Sequence, residues 1–238
     1  MDLRGKTALV TGASKGIGLA VAAALLDEGM NVTITSRDQR EVDAAAASLG
    51  EDVSSRVLAA ACDVRHLAQQ REVVARTEAQ FGGLDLLVAN AGVGAWRPVE
   101  ELESETWDEI IGTNLTGVFY SVSASVEALK RTQGLIITVG SLAGANFFAG
   151  GAAYNASKFG LLGFTQAAML DLRKYGIRVS TIMPGSVATT FSRRPVSDDD
   201  AWKIQPEDIA QTVVYLAKMP ARTLPSKVEI RPSNPRQG

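Results

Sequence analysis

Thr7-Ala8-Leu9-Val10-Thr11-Gly12-Ala13-Ser14-Lys15-Gly16-Ile17-Gly18 decides how the rest of the chain is read. A short apolar run, Thr7–Val10, passes straight into a glycine-rich loop, and a helical pattern follows from Ile17 to Gly29. Glycines are needed where a chain turns sharply and its backbone approaches phosphate oxygens. The start of the following helix offers unpaired N–H groups and the positive end of the helix dipole to an anion. The glycines fall at 12, 16 and 18, so the loop is neither G-x-G-x-x-G nor a nucleotide-triphosphate loop ending Gly-Lys-Ser/Thr. Spacing alone leaves a ligand-free βα turn open. Its place after the first strand favours a dinucleotide, which binds at the carboxyl ends of strands in a doubly wound sheet.

Outward from that loop, short apolar runs alternate with helical patterns. Strands are expected at Thr7–Val10, Asn31–Thr35, Arg56–Ala61, Leu84–Ala89, Leu135–Val139, Ile177–Ile182 and Lys227–Ile230. Helices are expected at Ile17–Gly29 (Ala20, Ala23, Ala24 and Leu25 facing inward), Arg40–Leu49, Ala68–Phe81, Thr106–Arg131 in one or two pieces, Tyr154–Tyr175 and Pro206–Ala217. Several strands are uninterrupted apolar runs, the mark of a parallel sheet covered on both faces. The fold class is therefore α/β: a single doubly wound Rossmann-type domain over residues 1–238, with a parallel sheet of about seven strands and helices on both faces. Ser192–Asp200 reads as a polar loop beside the site and Pro232–Gly238 as a fraying tail.

Composition narrows the chemistry. Lys plus Arg is 24 against 26 for Asp plus Glu, a net charge of −2, which argues against nucleic acid or an acidic membrane held by bulk charge. One Cys and one His exclude an internal disulfide and any metal site needing two of either. A His-centred triad would have to use His66, which reads better as a surface or helix-start residue. The uncharged stretch Thr132–Ser157 has membrane length but is broken by glycines and asparagines, so it reads as strand, loop and helix start. No targeting segment is visible, and the lone Cys62, read as a small buried hydrophobe, fits the cytoplasm.

Strand two ends Ser36-Arg37. An acid there would accept from a ribose 2′-hydroxyl, whereas a cation pairs with a 2′-phosphate. Position 36 carries no acid, and Arg37 with Lys15 favours NADP(H) over NAD(H), although Asp38 competes for Arg37. Tyr154 and Lys158 share a helix face at i, i+4. A free phenol titrates near ~10, and an ammonium nearby lowers that value, so the pair can move a proton at a reacting oxygen without a histidine.

The set Thr11-Gly12-x-x-x-Gly16-x-Gly18, Asp63, Asn90-Ala91-Gly92, Asn114, Ser141, Tyr154-x-x-x-Lys158 and Pro184-Gly185 resembles the short-chain dehydrogenase/reductase family over nearly the whole chain. The resemblance implies hydride transfer between a nicotinamide cofactor and a carbonyl or alcohol substrate. Tyr154 would be the general acid or base, and Lys158 would lower its pKa and bind the nicotinamide ribose. Ser141 would hydrogen-bond the substrate oxygen, and Asn114 would hold a proton-relaying water. Gly12, Ser14, Lys15, Gly16, Ile17, Gly18, Ser36 and Arg37 would hold the phosphates and ribose of NADP(H). Asp63 and Val64 would contact adenine; Asn90, Ala91 and Gly92 would line the cleft; Pro184, Gly185, Val187 and Thr189 would border the nicotinamide. A homodimer or homotetramer is implied as well. The alternative function is an NADP-binding regulatory or scaffold protein of the same fold.

Two departures from the family pattern stand out. Ala89 replaces a common Asn, and Val228-Glu229-Ile230-Arg231-Pro232 lacks paired glycines, which puts the last strand's packing in question. Trp96 and Phe147 are the preferred candidates for the substrate rim, ahead of Phe148 and Trp202. Arg193 and Arg194 are candidates for attracting an anion, under a lid expected to be small and open.

Overall fold

The strands are β1 (Thr7–Thr11), β2 (Asn31–Ser36), β3 (Val57–Ala61), β4 (Leu86–Ala89), β5 (Leu135–Val139), β6 (Arg178–Pro184) and β7 (Lys227–Ile230) in the computed structural model, which describes residues 2–192 and 195–235. The helices are α1 (Gly16–Asp27), α2 (Gln39–Ser48), α3 (Leu67–Phe81), α4 (Ser104–Ile111), α5 (Gly117–Thr132), α6 (Ala152–Leu172) and α7 (Pro206–Lys218). All seven strands pair in parallel in the order β3-β2-β1-β4-β5-β6-β7, the doubly wound sheet expected.

The uninterrupted apolar runs now have a physical account. Successive strand residues point to opposite faces. Ala8, Val10, Val88 and Ile137 enter one core with α1, α2 and α7, whereas Leu9, Leu87, Ala89 and Ile136 enter the other with α3, α5 and α6. β1, β4 and β5 are buried along their whole length, while edge strand β7 alternates exposed and half-buried. The chain leaves β1 toward β2 and later returns on β1's other side as β4. The loops after β1 and β4 therefore diverge at their carboxyl ends and open the crevice that a doubly wound sheet uses for ligands.

Two local readings are filled in and one changes. α1 buries Gly18, Val21, Ala22, Leu25 and Leu26, and Ala20 and Ala24 of the expected inner side pack against the same core half-buried, because the helix is wedged between the sheet and α7 and is apolar nearly all round. The Thr106–Arg131 region is α4 and α5 joined through a π-helical turn, Gly112–Thr116. Asp200, at the end of the segment read as a polar loop, is buried: its carboxylate accepts from the Ser197 N–H (3.2 Å) and pairs with Lys203 (2.8 Å), the satisfaction a buried charge requires. The glycine-poor last strand pairs in register with β6, Thr181 opposite Lys227 through Pro184 opposite Ile230. Thr132–Ser157 is the end of α5, then β5, a loop and the start of α6, and no helix among the described residues is long and apolar enough to cross a membrane.

Candidate active site

The glycine loop and the loop after β4 are braced together at the crevice. The Asn90 side-chain amide donates to the carbonyls of Thr11 (2.9 Å) and Gly12 (3.0 Å). The Thr11 hydroxyl accepts from the N–H groups of Asn90 (3.0 Å) and Ala91 (3.1 Å). Gly12 has φ +64°, and a Cβ there would lie 2.7 Å from the Ala91 Cα, so both conformation and room demand glycine. α1 begins at Gly16 with Lys15 as its N-cap residue, no side-chain cap and no acid in the first turn. Its leading N–H groups and dipole are thus left for an anion. Ile17 packs onto the core, Gly18 is buried, and the Ser14 hydroxyl donates to Glu41 (3.3 Å).

At the end of β2 the Ser36 hydroxyl donates to the Asp38 carbonyl (2.8 Å). Asp38 does not pair with Arg37 as anticipated. Its carboxylate caps α2, accepting from the N–H groups of Arg40 (2.8 Å) and Glu41 (3.2 Å). Arg37 pairs instead with Glu109 of α4 at 3.4 Å. Asp63 accepts a forked pair of bonds from Arg65, the shorter at 2.6 Å, and this guanidinium holds its carboxyl below the usual carboxylate range. Val64 beside it is buried against the start of α5.

α6 carries Tyr154 and Lys158 on its buried face. The Lys158 ammonium donates to the Val139 carbonyl at the end of β5 (3.0 Å) and lies 5.7 Å from the centre of the Tyr154 ring. Burial pulls the Lys158 ammonium down to about 8. Burial also pushes the Tyr154 phenol up, while a hydrogen bond with the Ser141 hydroxyl works the other way. Ser141 follows β5 and accepts from the Ala143 N–H (3.1 Å), so its oxygen is fixed. Asn114 sits in the π-helical turn, a distortion that recurs at functional sites. Its amide donates to the Val93 carbonyl (2.9 Å) and the Ser157 hydroxyl (3.1 Å), and its oxygen accepts from the Val93 N–H (2.8 Å). Asn114 therefore ties the β4 loop to α6.

Pro184 and Gly185 end β6, and the Gly185 N–H donates to the Ile230 carbonyl (2.8 Å), so β7 supports this rim. Val187 bridges to Ile204, and Thr189 lies with its methyl 3.3 Å from where a Cβ on Gly16 would stand. The carboxyl ends of β1, β4, β5 and β6 thus bring the glycine loop, Asn90, Ser141, Tyr154, Lys158 and Pro184 to one end of the sheet, with Arg37 and Asp63 at the ends of the flanking strands β2 and β3.

The rim differs from expectation. Trp96 stands 6.1 Å from Tyr154, centre to centre, but Phe147 is 87% exposed and takes no part, and Phe148 packs on Gly151. Phe191, not singled out from the sequence, lies 5.9 Å from Tyr154 and 6.2 Å from Trp96. The rim over Tyr154 is consequently covered rather than open, because an aromatic ring gains more against two other rings than in water. Its signal was its place two residues beyond Thr189. Arg193 and Arg194 lie outside the described residues. Cys62 is buried, its thiol pushed up to about 11, and His66 is an exposed residue at the start of α3.

Residues 6–200 match the family described as short chain dehydrogenase. A 3-oxoacyl-[acyl-carrier-protein] reductase of Escherichia coli is 35% identical over 231 residues, covering 97% of this chain and 88% of its own. An alcohol dehydrogenase from the archaeon Thermococcus sibiricus, solved with 5-hydroxy-NADP, superposes with a TM-score of 0.90 at 29% identity, covering 98% of this chain and 99% of its own. A 3-ketoacyl-(acyl-carrier-protein) reductase from Brucella melitensis, solved with NADH, gives 0.88 at 27% identity over 97% of this chain and 98% of its own.

Proposed function

Since the chain belongs to the short chain dehydrogenase family of oxidoreductases, we propose that it is an NADP(H)-dependent carbonyl reductase, running also as an alcohol dehydrogenase, with Tyr154 as its general acid and base. The observation that carries this reading is the meeting of Tyr154, Ser141 and Lys158 at the strand ends beside the glycine loop.

The cradle fits a nicotinamide dinucleotide on its own chemistry. The uncapped start of α1 attracts a pyrophosphate, Gly12 lets its loop pack against Ala91, and Lys15 and Arg37 add charge where a 2′-phosphate would lie. Ser14, Gly16, Ile17, Gly18 and Ser36 complete that end. Asp63 and Val64 would flank the adenine, Asn90, Ala91 and Gly92 the cleft, and Pro184, Gly185, Val187 and Thr189 the nicotinamide. When bound, the nicotinamide supplies a hydride to a carbonyl carbon or takes one back.

The protein's part is polarisation and proton transfer. Ser141 donates a hydrogen bond to the substrate oxygen as negative charge grows there. Tyr154 then gives that oxygen its proton. The phenolate left behind is stabilised by the Lys158 ammonium, which burial keeps close to the ring and free of competing solvent. Asn114 has both amide hydrogens engaged, so a relaying water would use the remaining lone pair of its oxygen. Residues 1–238 act as one cofactor domain in the cytoplasm. Exposed Phe119, Phe159 and Leu170 on α5 and α6 support a homodimer or homotetramer.

Tyr154→Phe tests the assignment. Carbonyl reduction followed by nicotinamide absorbance should drop by about 10²–10⁴-fold, the usual span for a general acid, with NADPH binding nearly unchanged. Unaltered turnover would overturn the role given to Tyr154.

A further inference from the structure

We infer that Trp96, Tyr154 and Phe191 form an aromatic slot and that the substrate is an aryl ketone, or the matching benzylic alcohol, whose ring takes the place Phe191 now fills. This rests on the reading of Tyr154 as proton donor and adds the substrate's chemical class to it.

The Phe191 ring is a stand-in within the molecule. It meets Tyr154 at 5.9 Å and 61° and Trp96 at 6.2 Å and 77°, both edge-to-face arrangements. Such pairs are favoured because the positive ring edge meets the negative ring face. A phenyl group therefore already fits beside the Tyr154 ring. The floor of the slot is bare backbone: a Cβ on Gly94 would lie 2.6 Å from the Phe191 ring and 3.0 Å from Trp96. The two walls are held differently. The Trp96 wall is anchored where the Arg97 N–H donates to the Gly150 carbonyl (2.9 Å). Phe191 rides on the short turn Thr190–Ser192, its N–H reaching the Thr189 hydroxyl at 3.4 Å, so it is the wall that turns aside.

Among the described residues, two neighbouring cations are turned to backbone oxygens. Arg97 donates to the Trp96 carbonyl (3.0 Å) and Lys158 to the Val139 carbonyl (3.0 Å). The chemistry is a two-electron reduction: the carbonyl carbon takes the hydride of the reduced nicotinamide, the C=O π pair moves onto oxygen, and that oxygen takes the Tyr154 proton.

The test compares acetophenone with methyl hexyl ketone, matched in carbon number, and with the keto acid levulinate. Two ring contacts should favour acetophenone in kcat/KM by about tenfold or more over the alkyl ketone. Trp96→Ala should bring that ratio toward one. Phe191→Ala vacates the slot and should lower KM for acetophenone more than it changes kcat, with Phe191→Leu in between. A second readout needs no turnover: α-methylbenzyl alcohol binding to the NADPH-loaded protein, by calorimetry, should weaken by about fivefold or more in Trp96→Ala. A ratio near one in the unaltered protein, a preference for levulinate, or alcohol binding indifferent to Trp96→Ala overturns the slot and leaves the Tyr154 reading standing. No ketone turnover together with Trp96-dependent alcohol binding overturns the Tyr154 reading and leaves the slot.

Discussion

The proposed cofactor cradle and the proposed substrate rim lie at the same end of one sheet, yet they are made differently. The cradle presents backbone, the Gly12 turn and the leading amides of α1, pinned by the Asn90 side-chain amide and the Thr11 hydroxyl. The rim is built from side chains of distant loops, Trp96 and Phe191 closing on Tyr154 of α6. A backbone site tolerates little substitution because its geometry is the fold itself. A side-chain site can change its occupant while the fold stays put.

The largest difference is expected from one methyl group. Gly12→Ala forces a positive φ on alanine and drives its Cβ to 2.7 Å from the Ala91 Cα. The conformational and overpacking costs together are about 2–5 kcal/mol, which for a chain of this size lowers Tm by roughly 4–20 °C. NADPH should no longer raise the Tm of this variant. Phe191→Ala, by contrast, should move Tm by only about 2–4 °C. Equal shifts for the two, read by differential scanning calorimetry, would erase the distinction between cradle and rim.

Arg37 marks the edge of the cradle, where backbone gives way to side chains. Charge-assisted bonds to a phosphate are worth about 1.5–3 kcal/mol, so Arg37→Ala should weaken NADPH by about 10- to 150-fold while sparing NADH. Fluorescence titration with the two nucleotides measures both. Equal weakening of NADH would place Arg37 outside any 2′-phosphate site.

How far these two regions can be read from sequence follows from how they are made. β1, β4 and β5 are legible because burial on both faces writes an apolar run, and Gly12 because only glycine suits its conformation and its neighbour. Tyr154 and Lys158 share a helix turn, a local spacing. Glu109 reaches Arg37 across 72 residues of sequence, and Phe191 finds Tyr154 and Trp96 only once the loops have folded. No local pattern carries such contacts. The same holds for the π-helical turn at Asn114, which a continuous helical periodicity conceals.

Protonation separates the regions next. kcat/KM reports the free protein, in which burial sets the Lys158 ammonium at about 8. The proposed reduction would need that charge beside the nascent phenolate, so its rate should be steady below that pH and fall about tenfold per unit above it. A profile flat through pH 9.5 or so would detach Lys158 from the proton step. Stability runs the other way for this group. Its folded value lies below the ordinary 10.5, so the unfolded chain binds more protons between about 8 and 10.5, and stability from this group rises with pH there. Cys62 opposes it from 9.0 up to about 11, where the folded thiol keeps its proton and the unfolded one loses it.

The smallest effect belongs to Glu109. Its carboxylate holds Arg37 at 3.4 Å, with the two side chains 38% and 59% exposed, so the pair is a solvated one. Exposed ion pairs are worth roughly 0.2–1 kcal/mol, or about 1.4- to 5-fold in a binding constant. On the proposed reading a 2′-phosphate would compete with Glu109 for the same guanidinium, whereas NADH would make no such demand. Glu109→Gln should therefore tighten NADPH by that modest factor and leave NADH alone, and in an Arg37→Ala background it should do nothing. Salt should shrink the gain, since the competing charges are in water. A change in NADH of the same size, or one that survives Arg37→Ala, would mean that Glu109 acts through the packing of α4 rather than through Arg37.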